Sequence, residues 1–237
     1  ILRTSRTAST TSSKQAQRAD EMRRMHPSYV GYYDPCQSAD TGEVVGMVKQ
    51  MTLAATITQA SSSELLKSVL RQEPLIQTLE QVFPHDIYVY NLGKVFVNGD
   101  WIGCTQQTAL LWYKYRELRR GWLITSFDDP KPKRVEPSIH YQTSIQWLSN
   151  INEIHFWTDT GRPSRPLIVV RNNGELDPVG RYLSKTKYDP FKNTGFKQFT
   201  CLTNKHVEQL YQKQLTIDDL VDQGLIDYVS VEELEGL

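Results

Sequence analysis

Arg18, Arg23 and Arg24 stand a few residues ahead of Tyr29, Tyr32 and Tyr33, with Ser and Thr donors upstream. Guanidinium groups give charge-assisted, two-pronged hydrogen bonds to phosphate oxygens, and aromatic rings stack on bases. The stretch therefore has the chemistry of a nucleic-acid contact. The same tyrosines suit half-buried packing equally well, and composition leaves the two open. A second cationic group, Arg116, Arg119 and Arg120, precedes Gly121. It fits either a phosphate site or a positive helix end that complements the macrodipole, the second being the commoner arrangement.

Other chemistries find less support. The histidines (His26, His85, His140, His155, His206) and cysteines (Cys36, Cys104, Cys201) are scattered, with no His-x-x-x-His pair and no Cys-x-x-Cys. That pattern supports neither a zinc site nor a disulfide framework, and lone histidines on strands are usually hydrogen-bonded structural groups. Cys36, Ser28 and Ser38 lie near His26, but no Gly-x-Ser-x-Gly elbow exists and no third catalytic partner is indicated. Asp128-Asp129 and Asp218-Asp219 are adjacent pairs; neighbours on a strand point apart, and the second pair opens a helix, where acids favour the dipole. Phosphate-loop and dinucleotide fingerprints are absent.

The elements that must hold these residues read as follows. Residues 4–13 are almost all Thr, Ser and Ala, and 25–58 is irregular backbone with short strands, the second from Val44 to Ile57. Ser61 and Glu64 have capping-box spacing at the start of a helix carrying Leu65, Leu66, Val69 and Leu70. A second amphipathic stretch is expected from Pro74 to Val82. Asn98-Gly99, flanked by β-formers from Lys94 to Gly103, predicts a hairpin with a primed turn. Gln106–Arg120 predicts a helix with Leu110, Leu111, Tyr115 and Leu118 on one face, stopped at Gly121. Strands are expected at Pro137–Tyr141, Glu153–Thr158 and Pro166–Arg171, with Asp159–Pro163 as the turn between the last two. Phe156 and Trp157 should face opposite sides of their strand, one of them buried. Residues 172–198 are polar and predict a loop. Helices at Asn204–Tyr211 and from Thr216 to Gly224, then a strand Ile226–Val229, close the pattern. With strands and helices mixed and no βαβ rhythm, the fold class is α+β, an irregular segment over 1–61 followed by an α+β domain over 62–237.

Composition bounds the rest. The 237 residues are 39% hydrophobic and 23% charged, enough for an apolar core, and no uncharged apolar run approaches the roughly 20 residues that span a membrane. Formal net charge is zero, yet residues 1–25 hold six Lys/Arg against two acids, whereas 216–237 hold seven Asp/Glu and no Lys/Arg. A balanced total thus hides a basic, polyanion-facing end. The start at Ile1-Leu2-Arg3 reads as part of a longer chain.

Arg23-Arg24-Met25-His26-Pro27-Ser28-Tyr29-Val30-Gly31, continuing through Pro35 and Gly42 to Gly46-Met47-Val48-Lys49-Gln50-Met51, resembles the fork region of the second-largest subunit of multisubunit DNA-directed RNA polymerases. Glu153 to Val170, with Thr158-Asp159-Thr160-Gly161-Arg162 and Arg165-Pro166 inside it, resembles the external domain of the same subunit. The hairpin Val95–Gly103 and the segment Gly224–Tyr228 fall in family order. Where cellular members carry Pro-Glu-Gly after the proline, this chain has Asp40-Thr41-Gly42-Glu43, which looks more like polymerases of large cytoplasmic DNA viruses. That would place it in the cytoplasm or the virion.

The resemblance implies a place at the downstream edge of the RNA–DNA hybrid. It puts Arg23 close to the active centre, with His26 and Lys49 beside it; Arg18 joins them as a nucleic-acid contact from its own chemistry. His26-Pro27 suits a structural hydrogen bond and turn as well as a ligand contact. The resemblance further implies that the catalytic Mg2+ is held by the largest subunit, with no cofactor on this chain, which alone would be inactive. The implied partners are the largest and smaller polymerase subunits, template DNA and nascent RNA, with nucleoside triphosphates nearby and no membrane. The alternative is a free-standing polymerase-like scaffold that binds partners through its acidic tail.

Overall fold

The computed structural model describes residues 3–5, 23–36, 48–123, 133–136, 138–172, 198–200 and 202–235. Strand β1 (Arg3–Ser5) pairs antiparallel with β2 (Val48–Gln50), so the Val44–Ile57 strand of the sequence reading is two shorter ones, β2 and β3 (Thr56–Ile57). A single 3-10 turn spans Pro27–Tyr29. Helix α1 (Ser63–Arg71) is capped by Ser62, whose hydroxyl accepts from the Leu65 amide, not by Ser61. Ser61 is drawn elsewhere: its N–H donates to the Thr158 carbonyl at 2.9 Å. Glu64 does not close a box but pairs with Lys67 at 3.0 Å. Leu66 and Leu70 are the buried residues of α1, while Leu65 faces outward.

The helix expected at 74–82 does not form. Strand β4 (Gln77–Thr78) runs there, and helix α2 (Pro84–Val89) follows. Amphipathic spacing was present, but Ile76 is buried and the backbone beside it pairs with β6 instead of with itself. Strands β5 (Gly93–Val97) and β6 (Asp100–Thr105) make the expected hairpin, with Asn98 at φ 50° and Gly99 at φ 90°, the positive pair a primed turn demands. Helix α3 (Thr108–Arg119) follows, then the short pair β7 (Trp122–Leu123) and β8 (Lys133–Arg134).

The strand expected near 137–141 lies further on, as β9 (Ser144–Leu148); residues 138–142 form bends and a turn. β10 (Glu153–Trp157), β11 (Pro163–Ile168), β12 (Val170–Asn172) and β13 (Gln198–Thr200) come next, β12 pairing with β13; residues 173–197, expected as loop, lie outside the described residues. Helices α4 (Asn204–Tyr211) and α5 (Ile217–Asp222) fall where expected, α5 opened by a Thr216–Asp219 capping box. Strand β14 (Ile226–Ser230) and a last turn of helix, α6 (Val231–Glu235), complete the mixed α+β fold.

Two sheets organise these elements. The larger has the order β4-β6-β5-β10-β9, antiparallel except for the parallel β5–β10 pair, whose connection runs through α3. Alternation along its strands sends Val95, Val97, Ile145, Ile154 and Phe156 to one face, against Leu66 and Leu70 of α1 and Leu111, Trp112 and Tyr115 of α3. Phe156 is fully buried and Trp157 half-buried on the opposite face, as the sequence predicts. The smaller sheet, β14-β11-β3, is antiparallel throughout and joins residues from three distant parts of the chain.

Candidate functional site

The basic segment near residue 25 is organised by a capped turn. His26 has extended backbone, and its ring Nδ1 accepts from the Ser28 amide at 3.3 Å and meets the Ser28 hydroxyl at 2.8 Å. Pro27 then supplies the preset φ of a first helical position. The ring of His26 is edge-on to Tyr29 at 6.3 Å, and Tyr29 lies 5.2 Å from Tyr33. His26 is exposed and Arg23 half-buried. Lys49 sits in β2 opposite Thr4 and is only 7% exposed. A bridge between Tyr33 and Met51, and the Asp34 N–H donating to Gln50 O at 2.8 Å, lay the two segments side by side. The stretches bearing His26 and Lys49 are therefore neighbours. Arg18 lies outside the described residues.

The three tyrosines divide. Tyr32 is completely buried, its hydroxyl donating to the Val229 carbonyl at 2.8 Å and its ring beneath the Arg165 guanidinium at 5.0 Å. Burial pushes its phenol up to about 12, with Arg165 opposing the rise. It is a core residue with no face open to a base. Tyr29 and Tyr33 remain half-buried against each other.

The second cationic group turns inward. Arg119 is 3% exposed, donates to the Thr143 carbonyl at 2.6 Å, to Asp227 Oδ2 at 3.0 Å and to Glu233, and lies 2.9 Å from Asp227 Oδ1. Arg120 reaches Asp227 at 2.8 Å and also holds Glu117. Glu233 accepts a further bond from the Ile145 N–H at 2.9 Å. Arg116 lies 5.0 Å over the Trp112 ring. Two guanidiniums, Arg119 and Arg120, thus meet three carboxylates, Glu117, Asp227 and Glu233, and the group is neither a phosphate site nor a simple dipole complement. Burial alone would raise the Asp227 carboxyl, but Arg119, Arg120 and Arg116 outweigh it and hold it well below the usual carboxylate range. Burial, then repulsion from Arg120, lowers Arg116 to about 10. Two of the three partners, Asp227 and Glu233, are over 100 positions downstream, though Asp227 between Ile226 and Tyr228 in an apolar strand was a legible sign of a buried partner.

His155 is accounted for structurally. Its ring is stacked between Phe96 at 4.8 Å and Trp157 at 5.7 Å, and Nε2 meets Glu153 at 3.2 Å. Arg162 closes the stack 4.4 Å over Trp157. A cavity of about 420 Å3 opens beside Ser61, Ser62, His140 and Thr143 and touches Arg119 and Arg120, whose charges are already matched. Among the described residues no three His, Cys, Asp or Glu converge as a metal-ligand set, and no helix is long and apolar enough to cross a membrane.

Comparison with known proteins decides what this scaffold is. Residues 1–57 match the family model of RNA polymerase Rpb2, domain 3, and residues 95–171 match RNA polymerase Rpb2, domain 4. This chain belongs to the family of second-largest RNA polymerase subunits. Similar members include the DNA-directed RNA polymerase II subunit RPB2 of Schizosaccharomyces pombe, 27% identical over 223 residues and 90% of this chain. The DNA-directed RNA polymerase subunit Rpo2 of Saccharolobus solfataricus is likewise 27% identical, over 91% of the chain. The RNA polymerase II subunit 2 of Arabidopsis thaliana is 25% identical over 90% of it. The chain spans only 15–16% of the length of these family members.

Proposed function

We propose that this chain supplies the fork and external-domain region of a DNA-directed RNA polymerase, bordering the active centre and the downstream edge of the RNA–DNA hybrid. The observation that carries the reading is the succession of Rpb2 domain 3 over 1–57 and Rpb2 domain 4 over 95–171, in one chain and in that order. The role is positional. Arg23 is suited to a bidentate phosphate or carboxylate contact that a Lys cannot fully reproduce, with Arg18, His26 and Lys49 as its basic neighbours. Template DNA, nascent RNA and nucleoside triphosphates are its surroundings, and the largest subunit and smaller subunits its protein partners. Mg2+ belongs, in this reading, to the largest subunit. A viral source would rest on the turn from Cys36 to Glu43, most of which lies outside the described residues.

The test is purification of the native protein carrying this sequence, through a tag, with mass determination and identification of what accompanies it. The expected result is an assembly far above 27.3 kDa that contains a largest polymerase subunit. A product with no polymerase subunit attached would refute the reading in favour of a free-standing scaffold.

A further inference from the structure

We propose that Tyr32 and Arg165 form a joint that fixes the direction of the Arg23–Tyr29 segment, and are therefore positioning residues for the active-centre border; this rests on the reading above. The joint begins with an open sheet edge. β14 is the outer strand of β14-β11-β3, and an outer strand presents backbone groups without sheet partners. The buried hydroxyl of Tyr32 donates to one of its carbonyls, Val229 O, at 2.8 Å. Arg165 stands opposite Val229 in the β11–β14 register, and its guanidinium passes over the Tyr32 ring at 5.0 Å. The same side chain fills the space beside Gly31. A Cβ there would lie 1.8 Å from an Arg165 terminal nitrogen, and the φ of +81° is itself one that favours glycine. Two adjacent residues are thus pinned by contacts from two strands.

What is pinned there is stiff. The Tyr29 N–H donates to His26 O at 2.9 Å, and the Tyr32 and Tyr33 N–H groups both donate to Tyr29 O at 3.0 Å. Residues 26–33 therefore move as a unit, with Arg23 three residues before it. From the other side the Thr52 hydroxyl donates to Gly31 O at 2.8 Å and the Thr52 N–H to Tyr32 O at 3.0 Å, which ties the same joint to the strand bearing Lys49. Beyond Val229 the chain passes directly into α6 and Glu233, anchored by Arg119, so the joint stands on the buried ion-pair network.

The test is a mutant cycle in the intact polymerase, with elongation rate measured at saturating and limiting triphosphate. Arg165→Lys keeps the charge but loses the flat guanidinium, and Tyr32→Phe keeps the ring but loses the bond to Val229 O. Each should slow maximal elongation about threefold or more. In an Arg23→Ala background that factor should shrink towards one, because the joint acts through the segment Arg23 belongs to. A full, independent factor in that background would overturn the joint while leaving the active-centre reading intact. Wild-type elongation by both Arg165→Lys and Tyr32→Phe would overturn it as well. Wild-type elongation by Arg23→Ala alone would overturn the active-centre reading and the joint with it. Should Arg165→Lys fail to assemble, Tyr32→Phe carries the same cycle.

Discussion

Replacing Asp227 by Ala tests whether the buried ion-pair network holds the domain together. Asp227 faces Arg119 at 2.9 Å and Arg120 at 2.8 Å and is almost wholly buried. Without it, Arg119 and Arg120 would be left with only Glu233 and Glu117. An intact buried pair is not strongly stabilising in itself, because desolvation offsets most of the attraction, but removing one partner leaves charge uncompensated and typically costs about 3–5 kcal/mol. For a chain of this size that corresponds to a fall in Tm of roughly 6–20 °C. Asp227→Asn, which keeps an acceptor for one guanidinium, should cost less. The sign of the pH dependence follows from the lowered carboxyl. A group whose pKa is depressed on folding contributes its stability above the unfolded value, and loses it as pH falls towards the folded one. The Asp227 contribution is therefore full above about pH 4 and fades below it. Urea unfolding of wild type and Asp227→Ala, from neutral pH down into that acid range, should show a large gap that narrows in acid. A loss below about 1 kcal/mol at neutral pH, or a gap that does not narrow, would refute the reasoning.

Two further outcomes are expected. Tyr32, with its phenol at about 12, and Tyr115, pushed higher still by burial and by Glu73, should resist alkaline titration. Ultraviolet titration should show these two of the 12 tyrosines ionising only as the fold is lost; complete ionisation below pH 11 with far-ultraviolet dichroism unchanged would contradict their burial. Phe156→Ala should cost about 3–5 kcal/mol in chemical denaturation, and Trp157→Ala distinctly less, because Phe156 packs edge-on to Tyr115 in the core whereas Trp157 lies on the outer face beneath Arg162. Equal losses would mean the face assignment is wrong.

What the sequence makes legible is local chemistry. Asn98-Gly99 dictates its own turn, Thr216 and Asp219 cap α5 within four residues, and the apolar positions of α3 announce a helix without outside help. Where distant strands compete for the backbone, the reading slips. Ser61 is pulled to Thr158, so the cap moves to Ser62, and Pro74–Val82 gives up its helical pattern because β6 offers Gln77 and Thr78 a sheet partner. The arginines near 120 read first as a complement to the helix dipole, and apart from Glu117 no local pattern reveals their partners, since Asp227 and Glu233 arrive from the far end of the chain. Tyr32 is similar. A few residues after Arg23 it suits a stacking ring and a packing residue equally, and what decides is a hydroxyl that finds Val229 nearly 200 positions away. The family motifs set Arg23, His26 and Lys49 near one another; the contacts of Tyr32 and Gly31 with Val229 and Arg165 join positions too far apart in the chain for any local pattern to show.

The proposed role requires Arg23 at the border of the active centre. Elongation by the intact polymerase carrying Arg23→Ala, compared with wild type at equal assembly yield, tests this most directly. Slowed elongation with subunit composition unchanged is the expected result. Elongation at the wild-type rate would contradict it.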